Sequence, residues 1–113
     1  MNGYDKEEAF AFITGQLNRH EFAPLGDILD SLVRQAIDAD IAFMHETGVL
    51  DADGNAGSAY YEEDDAIEYI VEKLAEDNHL SPDQAVLAAS LISEFIVLQY
   101  SYLAYRGLVQ DED

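Results

Sequence analysis

An all-α bundle of four helices is the fold this sequence predicts. Three observations carry the expectation. Four segments repeat their apolar residues at helical spacing. Helix-capping residues stand at several of the segment ends. The hydrophobic fraction is 49%, too high for disorder even beside a formal net charge of −19 in 113 residues. The length suits a single domain spanning residues 1–113.

The first helix is expected from about Lys6 to Arg19. Asp5 is its N-cap, and Glu7 and Glu8 sit in the first turn, where the helix dipole favours negative charge. Phe10, Ile13 and Leu17 form one apolar stripe with Phe12 beside it, and Gly15 weakens the segment. The stretch Phe22 to Gly26 reads as a turn, because Pro24 pushes Ala23 out of helical geometry.

The second helix runs from about Asp27 to Glu46, with Ile28, Leu29, Leu32, Val33, Ala36, Ile37, Ile41 and Met44 on its apolar stripe. Asp30, Arg34 and Asp38 stand four apart and read as an ion-pair ladder. Gly48 stops the helix. The third helix is expected over about Glu62 to Asp77, with Ile67, Ile70, Val71 and Leu74 inward and Glu62, Glu63, Asp64, Asp65, Glu68, Glu72 and Glu76 outward.

The fourth helix has the clearest start. Ser81-Pro82-Asp83-Gln84 is a capping box with proline in the first turn. The helix continues to about Tyr105, and Gly107 ends it. Glu94 is its one charged residue between Ala85 and Tyr105. Such a run is long enough to span a bilayer. Glu94, Gln99 and three serines inside it, with no Lys/Arg cluster at its flanks, favour instead a helix at the centre of the bundle. Its uncharged surface also offers a homodimer contact. The residues Gln110 to Asp113 read as a frayed polar tail.

The loop between the second and third helices carries the one motif-like string. Counting from Asp51, oxygen ligands fall at Asp51, Asp53 and Asn55, and Glu62 stands at position twelve, the spacing of a calcium-binding EF-hand loop. Ala56 occupies the position where that loop needs glycine, and Gly48 breaks the entering helix. A plain Asp-Gly turn is the simpler reading, with a short hairpin between Val49-Leu50 and Ala59-Tyr61 within the 49–61 loop.

Function is read chiefly from charge. Twenty-four carboxylates against five Lys/Arg argue against direct binding to nucleic acid or to an anionic membrane. The absence of cysteine excludes disulfides and thiol chemistry. Met1 to Glu8, polar and acidic, resembles neither a signal nor a transit peptide, so a cytoplasmic location is expected. Glu76 and His79 form one Glu-x-x-His pair, whereas a di-iron bundle needs two. Neither a cofactor nor an enzymatic activity is expected. Glu94 needs a cation, for which Arg19, Arg34, Lys73 and Arg106 are available, or else a place at the surface.

The expectation is therefore a non-enzymatic acidic interaction protein, an inhibitor or adaptor. It would bind a basic surface on a protein partner, a surface of the kind that holds nucleic acid. Asp65, Glu68, Tyr69, Glu72 and Glu76 on the third helix are the candidate contact residues, the tyrosine anchoring and the acids steering. The alternatives are a calcium-binding helix-loop-helix using Asp51, Asp53, Asn55 and Glu62, and a small structural homo-oligomer.

Overall fold

The computed structural model describes residues 4–109; Gln110 to Asp113, read above as a tail, lie outside them. The described residues form four α-helices with no strand: α1 Lys6–Thr14, α2 Ile28–Thr47, α3 Glu63–Asn78 and α4 Pro82–Tyr105. A 3-10 turn, Ala23–Leu25, lies between α1 and α2. Helices α2 and α4 contact each other, and each also packs against both α1 and α3.

The capping residues act as expected at four ends, with Gly48, at φ 86°, ending α2 in the left-handed conformation. The Asp5 carboxylate accepts from the Glu7 and Glu8 amides at 3.0 Å each. The Ser81 hydroxyl accepts from the Gln84 amide at 3.2 Å, and the Gln84 side chain accepts from the Ser81 amide at 3.1 Å. Helix α4 ends in a Schellman motif. Gly107, at φ 71°, donates to the Ala104 carbonyl, and Leu108 donates to the Leu103 carbonyl. Leu108 and Leu103 are both buried there.

Helix α1 is shorter than the sequence suggests, ending at Thr14 rather than near Arg19. Gly15 is a weak helix former, and the chain continues through successive turns whose amides bond to Ile13, Leu17, Asn18 and His20 carbonyls. Ile13 and Leu17 still enter the core. The expected Asp30–Arg34–Asp38 ladder is replaced by pairs between segments. Arg34 grips both oxygens of Glu7 at 2.8 and 3.3 Å, Arg19 pairs with Asp30 at 2.8 Å, and Lys6 pairs with Asp38 at 2.9 Å. Partners on α1 and in the turn after it lie closer to these α2 side chains than their own neighbours do.

Helix α4 has the length and apolarity of a membrane-crossing helix. In this fold its buried stripe, including Leu91, Ile92, Phe95, Ile96, Tyr102 and Leu103, joins the core. It is not enclosed all round. Ser93 and Ser101 are exposed on its outer side, and so are Val86, Val97 and Tyr105.

The hairpin is a smaller and differently registered feature than the sequence suggests. One isolated antiparallel bridge joins Leu50 to Ala56, not to residues 59–61. Gly57 donates to the Val49 carbonyl at 2.8 Å and Ala59 to the Gly48 carbonyl at 3.1 Å. The backbones meet so closely that a Cβ on Gly57 would lie 2.1 Å from the Gly48 oxygen.

Candidate functional site: a tyrosine-walled cavity beside an acidic helix

Two buried polar side chains stand out from the apolar core: Asp40 on α2 and Gln99 on α4. They hold a chain of hydrogen bonds. Tyr4 donates its hydroxyl to Gln99 Oε1 at 2.6 Å. Gln99 Nε2 donates to Asp40 Oδ2 at 2.9 Å. Tyr61, in the loop before α3, donates its hydroxyl to the same Oδ2 at 2.5 Å. Asp40 Oδ1 has no hydrogen-bond partner among the described residues. Burial pushes the Asp40 carboxyl up to about 6, outweighing the bonds from Tyr61 and Gln99, which act in the opposite direction. Burial also raises the Tyr4 and Tyr61 hydroxyls, so both stay protonated as donors.

The network fixes the ring of Tyr61 as well as its hydroxyl. That ring stacks on Tyr100 with centroids 6.3 Å apart and planes 30° apart. Tyr61, Tyr100 and the exposed Tyr60 line a cavity of about 380 Å³, together with Glu63, Leu108 and Val109. Residues 56–59 of the loop complete its lining. Two separated stretches of chain thus meet here: the bridged loop running into the first turn of α3, and the end of α4 with the residues after it.

The candidate contact residues on α3 fall into two groups. Asp65, Glu68, Glu72 and Glu76 are all exposed, on the outer side of the helix. Tyr69 is half-buried and packs on Phe43, with ring centroids 5.5 Å apart, so it stands at the border between face and core. No ion pair among the described residues reaches any of these four carboxylates. The four salt bridges join Lys6, Arg19, Arg34 and Arg106 to Asp38, Asp30, Glu7 and Glu8, on other elements. Four of the five basic residues are therefore engaged away from α3.

The Asp51 carboxylate is used by its own turn. Its Oδ1 accepts from the Asp53 amide at 2.9 Å and the Asn55 amide at 3.0 Å, while Gly54, at φ 82°, donates to the Asp51 carbonyl. This is an Asx-type turn. Glu62 is the N-cap residue of α3 without a capping side-chain bond. Among the described residues no three His, Asp or Glu side chains gather as a metal would require.

Among the described residues Glu94 finds no cation, and it is half-buried rather than fully exposed. It meets another carboxyl, Glu21, and partial burial together with that neighbour raises its proton affinity. Ser90 donates to Glu21 Oε2 at 3.1 Å beside it.

The polar network is the part that sequence reasoning missed. One signal was present: Asp40 continues the Leu29, Leu32, Val33, Ala36, Ile37 spacing and precedes Met44, an acid on an apolar stripe. Tyr4 gave no such signal, because the polar stretch around it reads as solvated, yet Tyr4 is fully buried. Comparison with protein-family models, with curated proteins and with solved structures finds no match to this chain.

Proposed function

We propose that the chain is a non-enzymatic acidic interaction protein whose α3 face binds a basic surface on a protein partner. The observation that carries the reading is the segregation of charge. The span from Glu62 to Asp77 holds eight carboxylates and one lysine, Lys73. The other four basic residues pair elsewhere. Exposed ion pairs contribute only about 0–1 kcal/mol each, so this arrangement matters less for stability than for the field it leaves over α3. Along that face Glu68, Glu72 and Glu76 recur about every 6 Å, given the helical rise. A rigid row of negative charge at such spacing suits a groove that accepts a phosphate backbone. An inhibitor or adaptor acting by charge mimicry would need this feature.

The test is capture of partners from the source cell at low and high salt, with the wild type and with Glu68→Gln, Glu72→Gln, Glu76→Gln combined. The reading expects a partner retained at low salt, lost at high salt and weakened by the triple variant through a slower on-rate. Unchanged affinity of the triple variant would end it.

A second reading, a homo-oligomer joined through α4, draws on the exposed Val86, Val97 and Tyr105 on a helix with one charged residue after Asp83. Sedimentation equilibrium at high salt, where repulsion between acidic copies is screened, separates the two. A monomer under those conditions excludes the oligomer.

A further inference from the structure

We propose that the cavity walled by Tyr60, Tyr61 and Tyr100 receives one arginine side chain of the partner, with Glu63 pairing its guanidinium. This deepens the reading of α3 as a partner-binding face and rests on it. The cavity, at about 380 Å³, falls at the low end of the range for ligand pockets, roughly 300–1,000 Å³, and so suits a single side chain rather than a folded segment.

The chemistry of the walls selects the occupant. Aromatic faces attract cations through their quadrupole, and arginine combines that attraction with planar stacking. Leu108 and Val109 offer apolar surface to the aliphatic stem of a long cationic side chain. Glu63 supplies the carboxylate that a guanidinium meets in bidentate fashion. The lining also includes Gly107 to Val109, directly after the C-terminus of α4. A helix C-terminus carries partial negative charge, and Arg106, the C-cap residue of α4, is engaged by Glu8. The N-terminus of α3 has the opposite polarity, but its first turn answers with Glu63, Asp64 and Asp65.

The protein already builds the same combination for its own use. The Arg34 guanidinium lies 3.9 Å from the centroid of the Phe10 ring while both of its terminal nitrogens bond to Glu7. A carboxylate and a ring one helical turn apart hold that arginine in place. At the cavity, Glu63 and the tyrosine walls present carboxylate and rings to an arginine from outside. The wall is also set beforehand, because the bond from Tyr61 to Asp40 orients its ring before any ligand arrives.

The probe is a blocked pentapeptide, Gly-Ser-Arg-Ser-Gly, and its control carries citrulline in place of arginine, nearly the same shape without the charge. Both are titrated into isotope-labelled protein while amide chemical shifts are followed. The arginine peptide should move Gly57, Tyr61, Tyr100 and Leu108, and the citrulline peptide should bind at least tenfold more weakly. Tyr60→Ala and Glu63→Gln together should weaken the arginine peptide about tenfold. Both residues are exposed, so the fold survives the change, and an unchanged circular dichroism spectrum checks this. Equal binding of the citrulline peptide overturns the proposal. Shifts confined to Glu68 through Glu76 do the same.

The triple α3 variant separates this proposal from the reading beneath it. If that variant loses its partner while the peptide leaves the cavity untouched, only the cavity assignment falls. If the peptide seats in the cavity while the partner is indifferent to the triple variant, the cavity stands and the α3 face does not.

Discussion

Asp40 couples the fold to pH in a direction opposite to that of an ordinary paired carboxylate. Its buried carboxyl is pushed up to about 6, whereas an unfolded chain releases the same proton near about 3.9. The folded state holds the proton more tightly, so stability from this group is intact below about pH 4 and is lost as pH rises through about 6. The full span corresponds to at most about 3 kcal/mol. Asp40→Asn removes the titration and keeps an acceptor for Tyr61 and Gln99. Thermal melts of this variant should therefore fall less than those of the wild type between about pH 4 and pH 7. Parallel curves would show that Asp40 titrates as an ordinary acid. Gly57 sets a second test at this scale. Any Cβ there collides with the Gly48 carbonyl, so Gly57→Ala should destabilise by about 1–3 kcal/mol, as overpacking does. Denaturant unfolding measures this, and a neutral result would mean the loop yields freely.

At the scale of elements, α2 and α4 were largely legible in the sequence. Their apolar stripes are long, and the Ser81 box and the glycines Gly48 and Gly107 are strong local signals. Ser81→Ala should cost about 1 kcal/mol through loss of the cap, read as a lower denaturation midpoint. Helix α1 was legible only to Thr14. The segment between Thr14 and α2 is shaped by tertiary contacts, with Leu17, Phe22 and Leu25 all entering the core through backbone that is not α-helical. The outer face of α3 was visible as a run of acids, but not where the basic residues would go, since Arg34 chose Glu7 across the helix boundary over two neighbours on its own helix. The cavity could not be read at all, because its walls come from residues 56–63, Tyr100 and 107–109, brought together only by folding. On α3 itself, replacing Glu68, Glu72 and Glu76 by Gln removes like charges one turn apart. The isolated protein should become slightly more stable, by a few tenths of a kcal/mol per repulsion relieved, even as it binds its partner less well. A lower melting temperature would show that these acids serve the fold.

For the molecule as a whole, a net charge of −19 makes added salt a stabiliser. Raising sodium chloride should increase the melting temperature and weaken partner capture together, since one screening length governs both. A melting temperature indifferent to salt would show that self-repulsion is not a significant cost here. The polar network has a further consequence, for the order in which the chain folds. Tyr4 bonds to Gln99, and Glu8 receives both the Tyr102 hydroxyl and the Arg106 guanidinium, contacts that close a span of more than ninety residues. Helices that pack mainly on sequence neighbours assemble quickly, whereas long-range closure carries an entropy cost before it gives any return. During synthesis α1 can meet α2 early, but its docking is complete only after α4 has left the ribosome. Stalled chains that end before Gln99 should therefore leave α1 less protected from protease than chains with all of α4 clear of the ribosome.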